Sequence, residues 1–222
     1  MTTDCGKPSV QPKKALTEWG AELSKAEIAV LGVHGRGQSP DFIRELTERL
    51  RVDNARFFAP HAPDNSWYPQ PFLKPRRCNQ PALDVAMAEM AEHLETIQAA
   101  GFAASDIFLM GFSQGACLLS HFVLTQRPAF GGLVCFTGGF VGAEPIAVPT
   151  AAFLRGVPAL VRSIADDPFV PSSRVIETAH LLMAAGAHVD VRVDSGTEHI
   201  ISDEAVSAAS LLLRRRSQDE RG

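Results

Sequence analysis

The sequence predicts an α/β fold built on a mainly parallel, open twisted sheet with helices on both faces. Three observations carry that prediction. Short runs rich in Val, Ile, Leu and Phe alternate with helix-length amphipathic stretches along the chain. Most of the short runs are apolar almost without a break, which suits strands covered on both faces rather than half-exposed antiparallel ones. Finally, no internal repeat or low-complexity linker interrupts the alternation.

Taken in order, the expected strands are 28–33, 55–58, 107–111, 132–137, 159–164 and 187–194. Between and after them, helices are expected at 41–50, 81–100, 114–126, 172–185 and 202–214. Pro81 suits a first helical turn, and Gly101 and Gly186 suit helix ends. Ser202, Asp203 and Glu204 supply a cap and acidic groups where the helix dipole favours them. Parallel strands joined this way need right-handed crossovers, and in such sheets the ligand site lies beyond the carboxyl ends of the strands. The expected organisation is a loose arm over 1–20, one domain over 21–216 and a charged tail over 217–222.

Composition narrows the function. The 222 residues hold 21 basic and 25 acidic groups, a net charge of −4, with 45% apolar side chains. That balance gives no electrostatic footprint for nucleic acid or an anionic membrane surface. The first fourteen residues are polar and lack the apolar core of a signal peptide, so neither secretion nor a stable membrane association is expected. Cys5, Cys78, Cys117 and Cys135 are too scattered for a metal knuckle or a redox pair, and a chain of this size needs no disulfide framework. A reducing cytoplasm and a small-molecule partner are expected, with the oligomeric state left open, a homodimer included.

Directly after the 107–111 strand comes Gly111-Phe112-Ser113-Gln114-Gly115. A G-x-S-x-G pattern between an apolar strand and an amphipathic helix is the setting of a nucleophile elbow, where glycines permit a turn too tight for neighbouring Cβ atoms. A serine hydroxyl needs a base, and the base needs an orienting carboxylate. Of the seven histidines, His93, His121 and His180 fall in expected helices, whereas His199 follows the last strand in a carboxyl-end loop. Asp166 and Asp167 follow the preceding strand. Asp167 is favoured because Pro168 restricts it to an extended conformation. The order Ser113, Asp167, His199 is that of an α/β Ser-Asp-His triad. An oxyanion formed at Ser113 needs two amide donors, and the Gln114 N–H with the Arg36 N–H of His34-Gly35-Arg36-Gly37 fills that need.

These segments, with Asp166-Asp167-Pro168-Phe169-Val170-Pro171 and Gly196-Thr197-Glu198-His199, resemble the phospholipase/carboxylesterase family of α/β-hydrolases from residue 28 to the last helix. The resemblance implies Ser113, Asp167 and His199 as the triad, Arg36 and Gln114 as the oxyanion hole, and neither metal nor organic cofactor. It implies a serine carboxylesterase acting on an ester or thioester, with acyl-protein thioesterase and lysophospholipase as alternatives within the family. A non-catalytic small-molecule binding protein on the same fold is the alternative outside it. Thr197-Glu198 departs from the small-residue turn the family often has there, and Glu198 is expected to face solvent. Residues 65–73, Asn-Ser-Trp-Tyr-Pro-Gln-Pro-Phe-Leu, are similar to a loop of bacterial members. Trp67, Tyr68 and Phe72 either line a substrate pocket or pack the loop. Residues 138–158 are too few for a helical lid, so an open cleft with Phe140 at its rim is expected. Cys117 and Cys135 are expected to be small buried hydrophobes.

Overall fold

The computed structural model describes residues 16–219, with side chains as far as Arg214. Its strands are β1 (Thr17–Gly20), β2 (Ile28–Val33), β3 (Ala55–Ala59), β4 (Ile107–Phe112), β5 (Gly132–Phe136), β6 (Pro158–Ile164) and β7 (His188–Asp194). Its helices are α1 (Pro40–Leu50), α2 (Ala82–Ala99), α3 (Gln114–Gln126), α4 (Ser172–Ala184) and α5 (Asp203–Asp219). They form one seven-stranded sheet in the order β1-β3-β2-β4-β5-β6-β7. All neighbouring pairs are parallel except β1 with β3.

The continuously apolar strands are the central ones. Every residue of β2, β4 and β5 is buried, because helices cover both faces. One apolar layer lies under α2, α3 and α4, around Leu31, Leu109, Phe122 and Leu182. The other lies under α1 and α5, around Val30, Phe108, Val134 and Ala209. α3 is buried over its first eleven residues, so it behaves as a core element rather than a surface helix.

Two expectations about the ends need correction. Thr17–Gly20, expected within a loose arm, pairs with β3 as the antiparallel edge strand, with Trp19 stacked on Phe57. The arm's residues 1–15 lie outside the described residues. At the other end α5 continues through Asp219, so the first part of the expected tail, 217–219, is helical; 220–222 lie outside the described residues. Elsewhere the helix ends follow local chemistry. Ser39 Oγ accepts from Asp41 N at the start of α1, and Ser202 Oγ accepts from Ala205 N at the start of α5.

The topology fixes where a ligand site can form. From β2 the chain passes outward to β3, then returns across β2 to β4 and continues the other way. The loops after β2 and β4 therefore diverge at adjacent strand ends, leaving a crevice at the topological switch point.

Candidate active site

Ser113 sits in that crevice, in the turn between β4 and α3. Its backbone lies at φ 53° and ψ −119°, a conformation that L side chains rarely adopt. The flanking glycines permit it. A Cβ on Gly115 would stand 2.1 Å from the Val33 carbonyl oxygen, and one on Gly111 would stand 2.7 Å from the Ala116 nitrogen. Ser113 N donates to Phe136 O, which ties the turn to β5. α3 then starts immediately behind Ser113.

Two more loops converge on Ser113 Oγ. His199 Nε2 lies 2.8 Å away, and His199 Nδ1 lies 2.6 Å from Asp167 Oδ2. The Asp167 side chain has no exposed surface, and its second oxygen accepts from Phe169 N and Val170 N at 2.8 and 2.9 Å. Both carboxylate oxygens are thus committed, one to fixing the loop and one to the imidazole. With Nδ1 donating to a carboxylate, Nε2 carries the free lone pair and faces the hydroxyl. The rival Asp166 is exposed, its backbone N bonded to Gly196 O. Glu198 is exposed as expected.

The His199 ring is held between two aromatic side chains. Phe112 lies under it at 4.9 Å between centroids, and Phe169 meets it edge-on at 5.0 Å. Thr137, also at positive φ, reaches Ile200 O with its hydroxyl, while Arg49 donates to Ile201 O. The segment following the histidine is therefore anchored to β5 and α1.

The two residues expected as oxyanion donors have a further job. The Arg36 guanidinium donates to the carbonyls of Pro69, Tyr68 and Gln70 at 2.8, 2.9 and 3.0 Å. Gln114 Oε1 accepts from Trp67 N, and its Nε2 donates to Tyr68 O and Ser66 Oγ. Their side chains hold the 66–70 loop, and their backbone N–H groups are left for other uses. Gly35 N donates to Gln38 Oε1 and Gly37 N to Asn65 O, which frames the Arg36 amide between two bonded neighbours. Gln114 is the first residue of α3, so its N–H is one of the donors without an intrahelical acceptor. His34 completes the frame. Its Nδ1 bonds Gly35 O and its Nε2 accepts from Ala62 N, a neutral tautomer, and burial lowers its pKa.

A cavity of about 490 Å³ opens beside Ser113 and His199. Of the four residues expected to bind substrate, Tyr68 and Phe72 line it. Trp67 and Phe140 do not. Trp67 is turned inward, its Nε1 donating to His34 O and its ring against His34, so it packs the loop. Phe140 is wholly buried beneath the Arg174 guanidinium, 4.0 Å from its ring centre, and is no rim residue. Phe169, Val170 and Cys117 line the cavity instead. The sequence held a signal for the first two in their position two and three residues after Asp167, and the structure bonds their amides to its carboxylate beside the histidine. Among the described residues no His, Cys, Asp or Glu group of three stands where it could hold a metal ion. No helix among them is long and apolar enough to cross a membrane.

A sequence-family profile described as Phospholipase/Carboxylesterase matches residues 21–215. The crystal structure of a phospholipase/carboxylesterase from Dyadobacter fermentans superposes with a TM-score of 0.84 at 35% identity, covering 90% of this chain and 96% of that one. The Bacillus cereus carboxylesterase gives 0.73 at 19% identity, covering 90% and 94%, a likeness of fold. In sequence, the Arabidopsis thaliana protein named "Probable carboxylesterase SOBER1-like" is 24% identical over 213 residues, 88% of this chain and 81% of its own length.

Proposed function

The chain belongs to the phospholipase/carboxylesterase family, and on that premise we propose that it is a serine carboxylesterase working through an acyl-enzyme on Ser113. The observation that supports this most is the hydrogen-bonded chain from Ser113 Oγ through His199 to buried Asp167.

His199 Nε2 takes the hydroxyl proton as Ser113 Oγ bonds to the acyl carbon. The carbonyl electron pair moves onto its oxygen, and the amides of Arg36 and Gln114 receive the resulting oxyanion. Asp167 holds Nδ1 protonated and stabilises the imidazolium. As the tetrahedral species collapses, the C–O bond to the alcohol breaks and the leaving oxygen takes the proton from His199 Nε2. Water then repeats the sequence, releasing the carboxylic acid and restoring Ser113. These steps need no cofactor.

Substrate size follows from the space available. Phe72, Phe169, Val170 and the Tyr68 ring give the cavity an apolar wall, which suits a short- to medium-chain ester. Residues 138–157 carry no helix, in keeping with access from solvent rather than from beneath a helical cover. The test is hydrolysis of p-nitrophenyl butyrate by wild-type protein and by Ser113→Ala. The expected result is turnover that falls by about 10⁴-fold or more in the variant. Undiminished turnover in Ser113→Ala refutes the proposal.

A further inference from the structure

Phe169 differs from the other apolar residues around the cavity beside Ser113. Phe72 and Val170 are 8% and 2% exposed, whereas Phe169 lines the same cavity and is 66% exposed. Among the described residues it is the only Phe, Tyr or Trp that stands exposed. An exposed apolar side chain is ordinary on a protein surface, so the information lies in where this one stands. The fold does not ask for a ring there. Phe169 N and Val170 N donate to Asp167 Oδ1, bonds that other residues at 169 would also make, and Val170 supplies the turn's buried apolar group.

The ring's aromatic neighbour is the general base. It meets the His199 imidazole at 5.0 Å between centroids and 73° between planes, so the edge of one ring faces the plane of the other. Such a contact leaves at least one face of the phenyl group clear of His199. Phe112 also packs on the imidazole, but of the two rings only Phe169 lines the cavity.

The chemistry assigns the space beside His199. In acylation the leaving oxygen takes its proton from His199 Nε2, so that oxygen stands within hydrogen-bond reach of the imidazole. The first carbons of the alcohol then stand against the imidazole and the ring that flanks it. The acyl carbon is bonded to Ser113 Oγ, with its oxygen at the Arg36 and Gln114 amides, and its chain leaves on another side.

Building on the esterase reading, we propose that Phe169 is a specificity-determining residue for the leaving group, its exposed ring packing against the alcohol portion of the ester. The preferred substrates are esters of benzyl-type and similarly bulky apolar alcohols, with methyl esters as the poorer class. Covering the ring removes apolar surface from water on both partners, and an aromatic alcohol adds a ring-on-ring contact. A methyl group reaches too little of the ring to gain from it.

The test compares benzyl butyrate with methyl butyrate on wild-type protein, Phe169→Ala and Phe169→Tyr, with acid release followed by pH-stat. Both esters form the same butyryl-enzyme, so their difference lies in the steps up to loss of the alcohol, which kcat/KM reports. In wild type kcat/KM is expected to favour the benzyl ester, and in Phe169→Ala that preference falls by about tenfold. Phe169→Tyr, which keeps the ring, keeps the preference. The ratio of methyl hexanoate to methyl butyrate varies the acyl chain alone and is expected to hold in all three proteins. A benzyl-to-methyl ratio unchanged in Phe169→Ala overturns the proposal and leaves the esterase reading intact, even where both rates drop together, because the ring then only steadies His199. A fall in the hexanoate-to-butyrate ratio in place of the benzyl ratio puts the ring on the acyl chain and also overturns it. Hydrolysis of none of these esters by wild type overturns the esterase reading and the proposal together. Each ratio is taken on one protein preparation, so a lowered folded fraction in Phe169→Ala cancels from it.

Discussion

The substitution Asp167→Asn changes one atom of the site and isolates the role of the imidazole tautomer. The amide side chain would keep an oxygen for the backbone N–H groups of Phe169 and Val170, so the loop keeps both bonds. The atom facing His199 Nδ1 becomes an NH₂ group at the present 2.6 Å contact, and two donors cannot share it. The ring must then accept at Nδ1 and carry its proton on Nε2, which faces Ser113 Oγ at 2.8 Å. Nε2 can no longer take the hydroxyl proton, and no carboxylate stabilises an imidazolium. The corresponding change in a serine protease lowers kcat by about 10⁴, which is about 5.5 kcal/mol of transition-state stabilisation. Folding is little affected, since the buried loop bonds persist and one neutral hydrogen bond replaces a charged one. The assay pairs kcat for p-nitrophenyl butyrate with a thermal melt. A loss of about 10³ to 10⁴ in kcat with Tm within a few degrees of wild type is expected. A loss below tenfold would refute the tautomer argument, and a collapse of Tm would show that the carboxylate holds the fold instead.

Other perturbations separate strain, packing and charge. Ser113→Gly should be more stable than Ser113→Ala by about 1 kcal/mol in urea, because the turn's positive φ penalises any Cβ; equal midpoints would remove the strain argument. Gly115→Ala places a methyl 2.1 Å from Val33 O and should cost about 2 kcal/mol or more, read as a lowered Tm with activity lost. Burial holds the His121 imidazole at about 4 in the folded protein, aided by Arg76, so between pH 6.5 and 4 the unfolded chain binds a proton that the folded one does not. Stability should therefore fall by up to about 3 kcal/mol as pH drops through that window, and His121→Leu should flatten the slope. An unchanged slope contradicts it. Burial also raises the thiols of Cys117 and Cys135, to about 12 and about 11, whereas Cys78 is exposed. Iodoacetamide at pH 8 should label the Cys78 peptide and spare the other two, as peptide mass spectrometry would report.

How much of this the sequence held depended on whether the information was local. β2, β4 and β5 were legible because a strand buried on both faces must be apolar throughout, and their expected and observed limits differ by a residue at most. Ser113, Asp167 and His199 could be placed together because each follows a strand, and parallel strands deliver their carboxyl ends to one edge. β1 was missed for the opposite reason. Thr17–Gly20 is four residues of alternating exposure, and only its pairing with β3, nearly forty residues away, makes it a strand. The aromatic loop was half legible. Its composition announced a packed segment, but which ring faces the cavity depends on the carbonyls gripped by Arg36 and Gln114, bonds that span more than thirty residues. Of the two readings left open for Trp67 the structure takes packing, Phe140 was misplaced at the rim because its burial depends on Arg174 of α4, and the roles of the Arg36 and Gln114 side chains went unforeseen.

The central claim is that Ser113 becomes covalently acylated, and mass spectrometry of the protein after brief exposure to a fluorophosphonate measures that reactivity directly. The account predicts one added phosphonyl group, located on the peptide that contains Ser113, absent in Ser113→Ala and strongly slowed in His199→Ala. An unmodified wild-type protein, or an adduct that persists in Ser113→Ala, would contradict it.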